Sequence, residues 1–365
     1  MRAPRQLLDL RPGEGRTVFL LTCILAGLIG AHTMLETARD ALFLGKLQPA
    51  WLTLVYGVLA GITLLANRIN GRFVMAFGRR NALVCTLIVA AFGTVVFFLL
   101  PKTSNIVFGL YIWSALLGTV LVVQFWMLAG HIFTVTQGKR LFGFIAAGGV
   151  LGAVLGATSS IAITAMGSVE VTLAVGSTVF LATSVALTLV DPDEVVQDVY
   201  WAKKEQREQG WKASLQSLKG QPYLLRLGLF VAFATMTVLV TDFLFKSVAA
   251  REIMPENLGG FFARYYAILN SIALVMQLFV SGYLVRRTGT IVAALVLPAL
   301  LVLGAAGILV AGGALAAVLL TKGADGALRH SLHRISLELL WMPIPEQKRS
   351  SAKGFIDAVV VRGSQ

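Results

Sequence analysis

The stretch GRFVMAFGRR, Gly71 to Arg80, lies between two apolar blocks, and its pattern returns late in the chain as GYLVRRTG, Gly282 to Gly289. In both copies two glycines stand seven residues apart, and arginines crowd around them. A short basic turn recurring at matching places between apolar blocks predicts two related halves. Each half then threads repeatedly through an apolar medium.

The composition says what that medium is. The chain is 57% hydrophobic and only 13% charged, with a mean hydropathy of +0.79. Soluble domains carry about 25% charged residues. The apolar blocks are about 20 residues long, which at ~1.5 Å per residue spans a bilayer core of roughly 30 Å. The expected fold is all-α, a polytopic membrane bundle of about ten spans. They fall near 17–38, 50–67, 81–100, 105–132, 141–165, 168–190, 223–249, 260–284, 290–310 and 312–334. Residues 1–190 form an N-terminal six-helix bundle, 191–222 a cytoplasmic linker, and 223–365 a C-terminal bundle. That second bundle is expected to be incomplete, because SAKGFIDAVVVRGSQ at the C-terminus reads as the entry to an eleventh span.

A net charge of +13 fits the excess of Lys and Arg that cytoplasmic loops carry, so it does not point to nucleic acid. Placing the N-terminus in the cytoplasm gathers most of the 31 basic residues on that face. In a bacterial cell that means the inner membrane. The basic leader MRAPRQLLDLRPGEGR resembles the start of a signal peptide, but the apolar run after it continues to Leu35 without a small-residue cleavage site. Cys23 and Cys85 lie inside apolar blocks and indicate neither a disulfide framework nor a metal site. With no phosphate loop, His-Glu-x-x-His motif or nucleophile elbow, nothing indicates an enzyme or a cofactor.

Function is carried by the charges inside the spans. Asp242 and Lys246 sit four apart, on one helix face, at the end of an apolar run starting at Leu227. Ionisable groups at such depth cost about 2.5–3.5 kcal/mol each on insertion scales and usually line a wet cavity. The competing account has Lys246 reaching to the outer surface with Asp242 tethered to it. In span one, His32, Glu36 and Arg39 share a face, with Asp40 adjacent, either in the cavity or at the outer boundary. In span ten, Lys322, Asp325 and Arg329 share a face beside Gly323 and Gly326, a broken-helix site or a structural pairing. Gly148, Gly152 and Gly156 in span five, four apart, predict close helix packing, with a rocking interface as a secondary role.

The paired turns resemble the loop signature of the major facilitator superfamily: glycine, three residues, Asp-Arg, one residue, glycine. Met75 and Arg286 stand where that Asp belongs, and only Arg287 keeps the Arg. Three further stretches are similar to the ATP/ADP translocases, the nucleotide transport family of plastids and intracellular bacteria and distant relatives of that superfamily. They are ETARDALFL (Glu36–Leu44), FWMLAGHIFTVTQGKRLFGFIAAGGVLG (Phe125–Gly152) and RHSLHRISLELLWMPIPEQKRSSAKGFIDAVVVRG (Arg329–Gly363). The resemblance places a family lysine on Arg39 and a glutamate on Asp242, with Phe245 and Lys246 in place of a Trp-Lys pair. A second glutamate falls on Ser114 and a second lysine on Leu337, beside a retained Glu338, so two of the four charges are lost.

The resemblance thus implies a secondary carrier of a nucleotide or other phosphorylated anion. Arg39, Lys246, Arg264, Lys322 and Arg329 would supply positive potential, and Asp242 would lie on the substrate path. Trp126, Tyr265 or Tyr266 would offer a ring for a base to stack on. The expected partners are that small solute and membrane lipid. Two alternatives remain open: a carrier of another organic anion, and a non-transporting anchor or sensor tethering a soluble domain encoded beyond residue 365.

Overall fold

A computed structural model describes residue 11, residues 13–190 and 222–333, and Ser336, Leu337 and Leu340. The expected linker and the expected entry to an eleventh span lie outside the described residues, as does Glu338. The described chain is helical and without strands. Lipid offers no hydrogen-bond partner, so a crossing segment satisfies its amides within the helix. The hydroxyls do likewise: Thr33 Oγ1 donates to Ile29 O at 2.9 Å, and Thr37 Oγ1 to Thr33 O at 2.9 Å.

The first half contains α1 (Gly15–Lys46), α2 (Trp51–Phe77), α3 (Arg79–Leu99), α4 (Ser104–Ile132), α5 (Val135–Met166) and α6 (Val171–Leu187). The second contains α7 (Pro222–Glu252), α8 (Leu258–Val275), α9 (Ser281–Thr288), α10 (Thr290–Val310) and α11 (Leu315–Leu328). A π-turn, Met276–Val280, joins α8 to α9 as one path, and another, Arg329–His333, continues α11. Among the described residues seven helices are long and apolar enough to cross a membrane, and α2, bent by 43° between Thr63 and Arg68, makes an eighth. The two other expected spans are shorter helices: α6 has 17 residues and α11 has 14.

Two boundaries differ from expectation. Helix α1 continues past Ala38, where the expected span stops, to Lys46, because its charged segment is buried and helical instead of forming a loop. Helix α2 continues through most of the quoted basic stretch and turns only at Gly78, where φ is +77° and ψ is 160°. Its counterpart Gly289 has φ +81° and ψ 163°, the same positive-φ turn at the matching place. A side chain with a Cβ is strained there, and glycine is not. These turns mark what we call the basic end of the bundle.

Helix α1 packs against α4, α5 and α6. Gly148, Gly152 and Gly156 of α5 face Thr22, Ala26 and Gly30 of α1, and a Cβ on Gly152 would overlap Ala26 O. The glycine stripe therefore packs two helices of one half and is not a surface between halves. Within the second half, α11 packs on α7, α8 and α10.

The halves meet far from the basic end. Helix α8 lies against α1 and α5, with Gly259 beside Thr164 and Val169. Phe245, Val248, Ala249, Leu258, Phe262, Ile308 and Val318, all near the far ends of their helices, join the core of the first half. Ala293, Leu297, Leu301, Leu328 and Leu332, nearer the basic end, form a separate cluster. The two halves are thus joined at one end and diverge toward the other.

Candidate functional site

Where the halves join, charged side chains from three helices, α1, α7 and α11, form an alternating ladder. It starts on α1, where Arg39 lies 3.5 Å from Glu36 and 2.9 Å from Asp40. Asp40 then meets Lys246 of α7 across the halves at 3.3 Å. Lys246 reaches Asp242 at 2.8 Å, and the other oxygen of Asp242 reaches Lys322 of α11 at 2.8 Å. Lys322 lies 3.3 Å from Asp325, which also pairs with Arg329 just past the end of α11. The order is acid, base, acid, base from Glu36 to Arg329, with as many acids as bases and no net charge.

Helix periodicity builds the ladder. Glu36 and Arg39 are three apart, Asp242 and Lys246 four, and Lys322, Asp325 and Arg329 fall at i, i+3 and i+7, so each group shares a face. The ladder members nearest the far end lie about two turns in: Asp40 from the end of α1, Lys246 from the end of α7, Lys322 from the start of α11. That is about 9–11 Å of helix.

Hydroxyl groups saturate the interior. Tyr266 of α8 donates to Asp40 at 2.6 Å, and Tyr56 of α2 donates to Asp242 at 2.9 Å. Lys246 donates to Tyr111 of α4 at 2.5 Å, and the Arg39 guanidinium lies 4.4 Å from the Tyr111 ring centre. Arg39 also donates to Ser114 Oγ at 3.3 Å, and His32 contacts Ser114 O at 3.1 Å. Asp40 and Asp325 are fully buried, and Lys246 nearly so. An unpaired ion there would be costly, whereas partners on every side offset the desolvation.

The ladder brings together Arg39, Asp242, Lys246, Lys322 and Arg329, all expected in a central cleft. Lys246 does not extend to the outer surface, and Lys322 lies two turns into α11, at the middle of that helix. Tyr265 lies beside it, donating to Leu319 O at 3.2 Å and packing on Phe245 with ring centres 4.7 Å apart. Two expected residues are elsewhere. Arg264 is exposed on the face of α8 that also carries Ile268 and Ile272, and it donates to Gly260 O of its own helix. Trp126 packs edge-on against Phe125 and Phe142, nearer the basic end of α4. Tyr56 and Tyr111 had no sequence signal beyond a polar atom in an apolar span. Asp40 and Glu36 were visible as charges, but nothing in the sequence showed which helix they would face. Among the described residues no group of His, Cys, Asp and Glu could hold a metal.

The family model of the Major Facilitator Superfamily matches residues 16–359. Solved structures share the fold at low identity. The nucleoside transporter NupG, in a mutant form, is 13% identical over 96% of this chain and 88% of its own, with a TM-score of 0.65. A D-xylose-proton symporter is 17% identical over 95% and 87%, with a TM-score of 0.61. The xylose transporter XylE from E. coli, in an inward open conformation, is 16% identical over 94% and 86%, with a TM-score of 0.62. No curated protein matches the chain.

Proposed function

The chain belongs to the Major Facilitator Superfamily as a multi-pass membrane transporter, and on that premise we propose that it carries a small polar solute by alternating access, with the ladder closing its outer side. The basic end faces the cytoplasm across a bacterial inner membrane, by the excess of basic residues at that end. The halves rock against each other to expose the cleft to either side, and the ladder parts when the cleft opens outward.

The observation that carries this reading is the crossing between halves. Asp40 with Lys246, Tyr266 with Asp40, Tyr56 with Asp242 and Lys246 with Tyr111 all join one half to the other. A core meant only for stability would do as well with apolar side chains, since buried ion pairs add little net stability. Ion pairs that can part and re-form suit a surface that must open.

A nucleotide or other phosphorylated anion is the cargo that the translocase resemblance implies, and the cations gathered near a cleft support it. The charge balance weighs against it: every ladder cation already has a carboxylate. Reconstituted vesicles test the carrier reading. A panel of nucleotides, nucleosides, sugars and amino acids should include one solute whose uptake saturates and is lost in Lys246→Met. Uptake of none of them, by protein shown to be folded, would refute it.

A further inference from the structure

Exposure along the ladder is uneven, and the unevenness has chemical meaning. Of the interior members, Arg39, Asp40, Lys246, Lys322 and Asp325 have side chains no more than 9% exposed, and Asp242 is 21% exposed. The two terminal members are the most open, Glu36 at 36% and Arg329 at 29%. Each terminal charge has one ladder neighbour, where the interior ones have two. Glu36 belongs to the first half and Arg329 to the second, and both lie on the basic-end side of the ladder on their helices, where the halves diverge.

From these observations we infer that the solute is a zwitterion, an amino-acid-like molecule whose ammonium meets Glu36 and whose acid group meets Arg329. The inference rests on the carrier reading and names its cargo class. A nucleoside di- or triphosphate brings several negative charges into a cleft whose cations are all paired. Reaching the interior cations, it would have to displace Asp40 or Asp325, both fully buried, and leave a buried charge without its partner, which is strongly unfavourable. A sugar or nucleoside brings no charge and leaves both terminal groups as they were. A zwitterion adds no net charge and gives each open terminus a second opposite partner on its exposed side, beside Arg39 for Glu36 and Asp325 for Arg329. Because those termini sit on different halves, one bound molecule also draws the diverging ends together, as a carrier's closure over its cargo requires.

Thermal unfolding of the full chain in detergent, with added solutes, tests the inference. The probes are the neutral α-amino acids, glycine betaine and taurine, against ATP, uridine and D-xylose, with ethylamine and acetate as half-molecules. A ligand that binds the folded state raises Tm with concentration. The expected result is a rise with at least one zwitterion and none with either half-molecule. The apparent affinity should fall about tenfold or more in Glu36→Gln and in Arg329→Gln, the usual loss for one charge-assisted bond. Arg329→Lys, which keeps the charge, should recover part of it and controls for misfolding. A rise with ATP, uridine or xylose alone overturns the zwitterion and leaves the carrier standing. A zwitterion response unchanged in both variants overturns the assigned termini. No rise and no vesicle uptake with any probe overturns both readings.

Discussion

Lys246 on α7 stands between two carboxylates from opposite halves, 3.3 Å from Asp40 and 2.8 Å from Asp242, and is itself almost wholly buried. One side chain thereby holds both halves. Replacing it with methionine keeps the volume and leaves two acids short of a cation. Breaking a buried pair from one side costs about 3–5 kcal/mol. Thermal unfolding in detergent should show a large drop in Tm, and Asp40→Asn added to Lys246→Met should recover part of it.

Tyr266→Phe removes one hydroxyl and no charge. Its bond to Asp40 crosses the halves at 2.6 Å, and bonds to a charged group contribute about 1.5–3 kcal/mol. That is a shift of roughly tenfold or more in favour of the state open at the ladder end. A thiol reagent should then label Tyr265→Cys faster in the Tyr266→Phe background than without it. Equal labelling rates would show that the bond does not hold this end shut.

Within the first half, glycines at different sites should behave oppositely. At Gly152 even alanine places its Cβ on Ala26 O, so α1 and α5 must separate, a strain of about 1–3 kcal/mol. At Gly57 no atom lies within 4 Å of an added Cβ, and alanine should stabilise α2 by about 0.5–1 kcal/mol. Paired Tm measurements on the two variants check the contrast.

At the basic end, Glu14 accepts from the Arg11 amide at 3.0 Å and from Arg140 at 2.7 Å, which hold its carboxyl down at about 2. A carboxyl lowered in the folded state stabilises it above the ordinary value of 4.5, and that contribution is lost as pH falls toward 2. The Tm difference between the native chain and Glu14→Gln should be constant above about pH 5 and vanish near pH 2.

How much of this could be read from sequence depends on the kind of signal. Arg39, Asp242, Lys246 and Lys322 were legible because a charge inside an apolar block is expensive and helical spacing fixes which charges share a face. Tyr56 and Tyr111 were not, since a tyrosine among apolar residues looks the same whether its hydroxyl meets lipid headgroups or a buried ion. Arg264 and Trp126 fell outside the site because the rotation of α8 and α4 about their axes is set by neighbours distant in sequence. The end of α1 lies beyond its expected place for a related reason. Glu36, Arg39 and Asp40 look like a membrane boundary until partners from α7 and α8 are known.

Gly78 and Gly289 bear on the kinship of the halves. Around them the side chains agree little: Met75 faces Arg286 in the alignment of the two turns, and Ala76 faces Arg287. Their torsions nevertheless coincide within a few degrees. What the two turns have in common is a backbone conformation open to glycine, so the bend at this end is kept by torsion and not by the charges beside it.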